Sequence, residues 1–510
     1  MFTTIKSYAL DGIEGFPVEV EVFTQNGLPS LDVVGLASSA VKESKERMRS
    51  AITNSGFEFG AHKTVINLAP ADIKKEGSAL DLAITVGYLT AVGQVPYAQC
   101  KNYVFLGELS LDGGLRRING VMPLLISAMQ AGYKKFIIPS GNAAEAAFVK
   151  GAEVYALKNL TEVVNLLIGL VYKPVEPGNF EDDQVLTPDV DIADVKGQLL
   201  AKRGLEIAVS GSHNILLCGS PGTGKTMLAK CVTGIMPKMT FEEAIEVTKI
   251  HSVSGLLREE EGIVKHRPFR SPHHTASIFS LTGGGAKAVP GEVSLAHNGV
   301  LFLDEMPEYN RKTLEALRQP LEDGTISVSR VSRSVQYPAH FMLIASMNPC
   351  PCGYYGSQVR QCTCTLRDRM NYVSKISGPL LDRIDIYVTV DNIEYDEFRS
   401  RRRAETSADV RERVERAREI QRKRFDGEGI YTNSQMSNAM IKKYCAIDRD
   451  TEKLLENVFR SEHLSPRSAT RILKVSRTIA DLAGRDELSQ DDVAEAIQYK
   501  TVDKKEMVLA

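Results

Sequence analysis

Gly219, Ser220, Pro221, Gly222, Thr223, Gly224, Lys225 and Thr226 follow one another as GSPGTGKT, the spacing G-x-x-x-x-G-K-T. Glycines at these places let backbone N–H groups turn inward around a phosphate. Lys225 would then neutralise the β- and γ-phosphates of a nucleoside triphosphate, and the Thr226 hydroxyl would coordinate Mg²⁺. The apolar run Asn214–Cys218 precedes the loop and the helical pattern KTMLAKCVTG begins within it, the strand–loop–helix setting this chemistry needs. About 80 residues on, Gly299–Glu305 reads GVLFLDE. Four apolar residues carry Asp304 to a strand end, where its carboxylate can hold Mg²⁺ through water. Glu305 can polarise an attacking water as general base. ATP and Mg²⁺ are the expected ligands.

Four further residues suit a triphosphate. Asn348 ends the apolar run FMLIASMN, where it can hydrogen-bond the γ-phosphate or the lytic water; the alternative is a turn former before Pro349. Arg383 stands between Asp382 and Asp385 in SGPLLDRIDI, placed to reach a neighbour's γ-phosphate in an oligomer or to form an ion pair within the chain. Arg467 and Arg471 lie one turn apart in SPRSATRIL as contacts to phosphate in the same chain, unless one only packs its stem.

Cys350, Cys352, Cys362 and Cys364 gather half of the chain's eight cysteines into fifteen residues. Four thiolates close a tetrahedral Zn²⁺ site and pin a loop; the alternative is a reduced cysteine-rich loop. ISVSRVSRSVQYP, 326–338, alternates apolar and polar residues like a hairpin that carries Arg330 and Arg333. His273 and His274, in RPFRSPHHTAS, have no carboxylate or cysteine beside them in sequence and suit hydrogen bonding or a pore loop better than a metal.

These residues need strands to carry them. NILLC, VLFLD and FMLIAS are short apolar runs bounded by polar or helical segments, the pattern of a buried parallel sheet. Residues 196–391 form this α/β phosphate-binding core. Residues 392–510 read as helical, with 399–424 carrying eleven basic against five acidic side chains: a DNA-facing helix or a solvated face laced with ion pairs. Residues 1–172 predict a separate α+β unit, with strands at 18–23, 64–69 and 134–140 and helices at 39–56 and in LDLAITVGYLTAVG. Between them, residues 173–195 read as an acidic linker; from Pro174 on, the stretch holds seven acidic and no basic side chains.

The whole chain bounds what these parts belong to. At 510 residues, 43% hydrophobic and 25% charged, it is ordinary globular protein rather than collagen-like or disordered sequence. Its net charge of −2 argues against a strongly basic nucleic-acid coat. Sparse cysteines, a start without a secretory pattern and no apolar run of about 18 residues predict a cytoplasmic protein without a membrane partner.

On GSPGTGKT, RPFRSPHHTAS, PGEVSLAHNGVLFLDE, ASMNPCPCGYYG and SGPLLDRIDI, the chain resembles the YifB/ComM family of magnesium-chelatase-like AAA+ ATPases over nearly its whole length. The resemblance implies an AAA+ core with a C-terminal helical lid, assembled as a homohexamer. It gives Asn348 the sensor-1 place, makes Arg383 the arginine finger and Arg467 sensor 2, and sends the 326–338 hairpin into the ring pore, where Arg330 and Arg333 would meet nucleic-acid phosphates; the alternative is a surface hairpin with two solvated arginines. Action on single-stranded or branched DNA follows, since the ComM branch is associated with branch migration and transformation. A chelatase-type remodeller of a protein partner is the alternative. The first 172 residues resemble a Lon-protease/ribosomal-S5-like domain through KEGSALDLAI and GELSLDGGLRRINGVMPLL. Ala79 aligns with that protease's serine and Met122 with its lysine, Ser78 lying one position away. A serine without a base is a poor nucleophile, so a non-proteolytic scaffold is expected.

Overall fold

The computed structural model describes residues 1–501 except 29, 37–38, 76, 181–189, 286–287, 330–333, 359, 394–403 and 463. The chain divides into two units, residues 1–183 with 240–265, and residues 184–239 with 266–510.

The first unit is built on a mixed seven-stranded sheet. Its strand order is Ser30–Val34, His62–Ala69, Glu14–Asn26, Phe2–Asp11, Tyr103–Phe105, Lys135–Pro139 and Glu153–Leu157. The alternation VEVEVF works as a period of two predicts: Val18, Val20 and Val22 are buried, while Glu19 faces outward to Lys6. Along Phe2–Asp11, Ile5 and Ala9 enter one apolar cluster and Tyr8 another, so both faces of the sheet are covered. The helix Asp81–Ala91, buried along its whole length, covers one face. It lies so close that a Cβ on Gly87 would meet Val22 at 2.8 Å.

Residues 240–265 differ from the sequence expectation, which kept them within the phosphate-binding core. The helix Phe241–Val253 belongs to the first unit, where it packs on the helix Val121–Gln130. Burial of Ala244, Val247 and Ile250 is one cause. The other is a carboxylate that must be satisfied: Glu145 is 2% exposed and accepts from Met122 N at 2.8 Å and from Ser252 Oγ. Ser252 Oγ in turn accepts from Gly120 N at 2.9 Å.

In the second unit a five-stranded parallel sheet runs in the order Phe269–Arg270, Val300–Leu303, Met342–Met347, Ile215–Cys218 and Ile386–Thr389. The strand leading into the glycine loop thus lies inside the sheet. The three predicted apolar runs are wholly buried strands. Helices Ser407–Arg424, Asn438–Tyr444, Arg449–Ser461, Pro466–Leu482 and Gln490–Thr501 form the helical region. No described helix is long and apolar enough to cross a membrane.

Each end of the acidic stretch 173–195 is held by one unit, and residues 181–189 between them lie outside the described residues. Val175 N donates to Val154 O at 2.7 Å in the first unit. In the second, Ile192 and Val195 are buried and Ile192 N donates to Ser407 Oγ at 2.9 Å. The described arginines of the basic helix mainly hold the fold: Arg413 pairs with Glu206 and Glu405, Arg424 with Asp481, and Arg418 donates to Val209 O. Arg416 and Arg422 make the short-range pairs of a solvated face.

Candidate nucleotide site and cysteine cluster

The loop Gly219–Thr226 turns tightly because its glycines have no alternative. A Cβ on Gly219 would collide with the Val390 carbonyl, and Gly222 and Gly224 have φ of 82° and 91°. Thr223 Oγ1 donates to Ser220 O at 2.9 Å and closes the turn. The helix Lys225–Ile235 follows at once, so its free N-terminal N–H groups face the loop. Lys225 is 9% exposed. Its ammonium donates to Gly219 O at 2.7 Å, Ser220 O at 2.9 Å and Asn348 Oδ1 at 3.2 Å. Burial lowers its pKa, against the pull of Cys218, Asp304 and Glu305.

Asp304 leaves the strand Val300–Leu303 and meets the loop: Thr226 Oγ1 donates to Asp304 Oδ2 at 2.9 Å. Ser346 Oγ donates to the other carboxylate oxygen and accepts from Glu305 N at 3.1 Å. Glu305 is exposed, and its φ of 51° lies in the left-handed region that side chains rarely adopt. Two hydrogen bonds, Lys225 to Asn348 and Thr226 to Asp304, therefore tie the glycine loop to its two neighbouring strands at the carboxyl ends of three adjacent parallel strands, where such sheets place their ligands. Sequence reasoning missed Ser346, whose signal was a polar side chain two residues before Asn348 inside an apolar run.

Arg383 is 6% exposed and donates to Pro379 O at 2.7 Å. Its ion-pair partner is Glu322, not Asp382 or Asp385. Arg467 also reaches Glu322, at 2.9 Å. Arg471 is occupied by Asp385 and the Arg383 carbonyl. Glu322 gave no sequence signal, because its partners lie 61 and 145 residues away.

The four predicted cysteines come together. All four Sγ atoms lie within 4.8 Å of one another, with Cys350–Cys352 at 3.3 Å, Cys350–Cys362 at 3.7 Å and Cys352–Cys362 at 3.6 Å. A tetrahedron with metal–sulfur bonds of about 2.3 Å has edges of about 3.8 Å, so this donor set fits Zn²⁺. Backbone N–H groups of Cys352 and Cys364 point at Cys364 and Cys362 sulfurs at 3.4 Å. Burial opposes ionisation of the Cys352 thiol, but hydrogen bonds from Tyr354, Thr363 and neighbouring thiols bring it down to about 6. The loop also presses on the nucleotide site: Gly353, at φ 85°, leaves room for Pro221, which a Cβ there would meet at 2.6 Å.

The remaining candidates stand apart. Arg330 and Arg333 lie outside the described residues; the strands flanking them, Thr325–Ser329 and Ser334–Pro338, pair as the predicted hairpin. His273 and His274 lie with ring centroids 4.1 Å apart, their planes tilted by 34°, and belong to no metal-holding group among the described residues. Ser78 Oγ donates to Glu108, and Met122 is wholly buried in an apolar cluster.

Three family models match the chain: magnesium chelatase subunit ChlI over residues 191–398, subunit ChlI of Mg-chelatase over 20–142, and the subunit ChlI C-terminal model over 404–500. Competence protein ComM of Haemophilus influenzae is 42% identical over 505 residues, 98% of this chain and 97% of its own. The uncharacterized protein YifB of Escherichia coli is 41% identical over 498 residues, 97% and 96% of the two chains. DNA replication licensing factor mcm6 of Schizosaccharomyces pombe is 22% identical over 184 residues, 36% of this chain and 17% of its own.

Proposed function

The chain belongs to the magnesium-chelatase-like AAA+ family that includes ComM and YifB, and we propose that it is an ATP-hydrolysing homohexameric motor acting on single-stranded or branched DNA. The observation that carries the ATPase reading is the hydrogen-bonded convergence of Lys225, Thr226, Asp304 and Asn348. Gly219–Thr226 would cradle the triphosphate. Lys225, now satisfied by the loop's own carbonyls, would exchange them for β- and γ-phosphate oxygens. Thr226 and Asp304 would hold Mg²⁺, which when bound neutralises charge on the transferring phosphoryl group. Exposed Glu305 would take the proton of the attacking water, and Asn348 would orient that water or the γ-phosphate. Arg383 would serve a neighbouring protomer's nucleotide as arginine finger, with Arg467 as the sensor-2 contact.

DNA as the substrate is supported by the hairpin beside the Asn348 strand, by the name of ComM as a competence protein and by the match to mcm6. In this reading the first unit is a Lon-protease/S5-like scaffold without peptidase activity, and the protein is cytoplasmic. The four cysteines would hold a structural Zn²⁺.

ATP hydrolysis and ring assembly measured with and without forked DNA test the motor. Stimulation by DNA and a six-protomer mass are expected. Hydrolysis indifferent to single-stranded and forked DNA would leave the chelatase-type remodeller of a protein partner as the better reading. Glu305→Gln should bind ATP and fail to turn it over. Protein purified without added zinc should carry about one equivalent of it; substoichiometric metal removes the zinc assignment.

A further inference from the structure

Both arginines assigned to phosphate are held by one carboxylate. Glu322 accepts from Arg383 Nη2 through one oxygen and from Arg467 Nη2, at 2.9 Å, through the other. The three residues differ in freedom. Arg383 is anchored by Pro379 O, and its Nε is buried without a hydrogen-bond partner among the described residues. Glu322 has a side chain 47% exposed and Arg467 one 59% exposed. The surroundings are rich in positive charge. Burial, together with Arg467, Arg318 and Arg471, lowers the pKa of Arg383. Arg318 has Glu315 as its own partner and Arg471 has Asp385. The Glu322 carboxylate is thus the acid shared by the two arginines, and each of its anionic oxygens gives a guanidinium the acceptor that a phosphate oxygen would give.

We propose that Glu322 is a positioning residue that stands in for phosphate: it holds Arg383 and Arg467 together in the nucleotide-free chain and competes with ATP for Arg467. This rests on the nucleotide reading above. Arg467 is the partner that leaves, because it is more exposed and reaches Glu322 with one nitrogen, whereas Arg383 has a second anchor. The position of Glu322 adds a connection to the hairpin. It sits in the helix Arg318–Asp323, and only Asp323 and Gly324 separate it from the strand Thr325–Ser329. Gly324, at φ 64°, has no room for a Cβ against His340, so the joint between helix and hairpin is tight. A displaced hairpin would carry the carboxylate with it.

The test is steady-state ATP hydrolysis and binding of a fluorescent ATP analogue by the full-length chain. Glu322→Gln keeps the side-chain shape and removes the charge. Its KM for ATP should fall about threefold, the scale of a half-exposed ion pair, with the analogue's dissociation constant falling in parallel and kcat not reduced. Glu322→Asp keeps the charge beside Arg383 but is too short to span both arginines; KM should fall in the same direction by less. In an Arg467→Ala background, Glu322→Gln should change neither constant. An unchanged or raised KM in the folded Gln variant overturns the latch, as does an equal effect in the Arg467→Ala background. If the Gln variant fails to fold, an Asp variant with the wild-type KM overturns it as well. A wild-type chain that neither binds nor hydrolyses ATP fails the nucleotide reading itself, a result distinct from either.

Discussion

The surroundings of Lys225 and of Ser78 both join a glycine-led segment, a helix start and a carboxylate, yet they are finished differently. Around Lys225, the polar residues Thr226, Asp304, Ser346 and Asn348 come from three chain segments and share hydrogen bonds. Around Ser78, the hydroxyl meets Glu108, Asp81 is taken by Arg47, and Met122 is closed into an apolar cluster. The first set leaves an ammonium on carbonyls that can be exchanged and a general-base candidate exposed to solvent. The second leaves no cation at the position aligned with the protease lysine.

The largest effect should come from the cluster whose parts converge. Lys225→Ala should abolish binding of a fluorescent ATP analogue and reduce hydrolysis at least about 100-fold, the scale of losing one preorganised charge contact to the reacting phosphates. Retained turnover would place phosphate binding elsewhere. Ser346→Ala tests the residue behind the motif. It removes a hydrogen bond to the Asp304 carboxylate and one of the two acceptors of Glu305 N–H, leaving Asp304 Oδ1 as the other. A bond to a charged group contributes about 1.5–3 kcal/mol, so kcat should fall by about tenfold or more with little change in analogue binding. Gly353→Ala is a smaller perturbation from outside the nucleotide loop. The new Cβ meets Pro221 at 2.6 Å and φ is 85°, so KM for ATP should rise about fivefold while metal content stays constant. An unchanged KM would separate the cysteine loop from the nucleotide site.

How much of this was legible followed from where each residue's partners lie. Gly219–Thr226, Asp304 and the four cysteines are readable because their chemistry is written in contiguous motifs, and the apolar runs that carry them can be read by pattern. Ser346 was half visible as a polar break in an apolar strand. Glu322 was not visible, since a carboxylate gains its meaning there from guanidinium groups far along the chain. The same holds for residues 240–265: helical periodicity identifies Phe241–Val253, but not that Ser252 completes the coordination of buried Glu145, 107 residues before it. Arginine-rich composition in 399–424 leaves a nucleic-acid face and a solvated, ion-paired face both open, whereas Arg413, Arg418 and Arg424 spend their charge and donors inside the fold.

The smallest expected effect lies on the other side of the comparison and is the one that discriminates there. Ser78 donates to Glu108, so Ser78→Ala removes one side-chain hydrogen bond, worth about 1.5–3 kcal/mol at most for a charged acceptor and less at a partly exposed site. A modest drop in melting temperature is expected. ATP hydrolysis should stay within about twofold of wild type, because a lost contact acts through its own neighbours and not through independent sites. Casein should remain intact in both proteins. A serine needs a base to become a nucleophile, and the residue aligned with the protease's lysine is Met122, buried among Val121, Leu125 and Ala128. ATP-dependent casein cleavage that Ser78→Ala abolishes would mean that this hydroxyl finds a base other than the aligned one, and the contrast between the two clusters would then be one of degree.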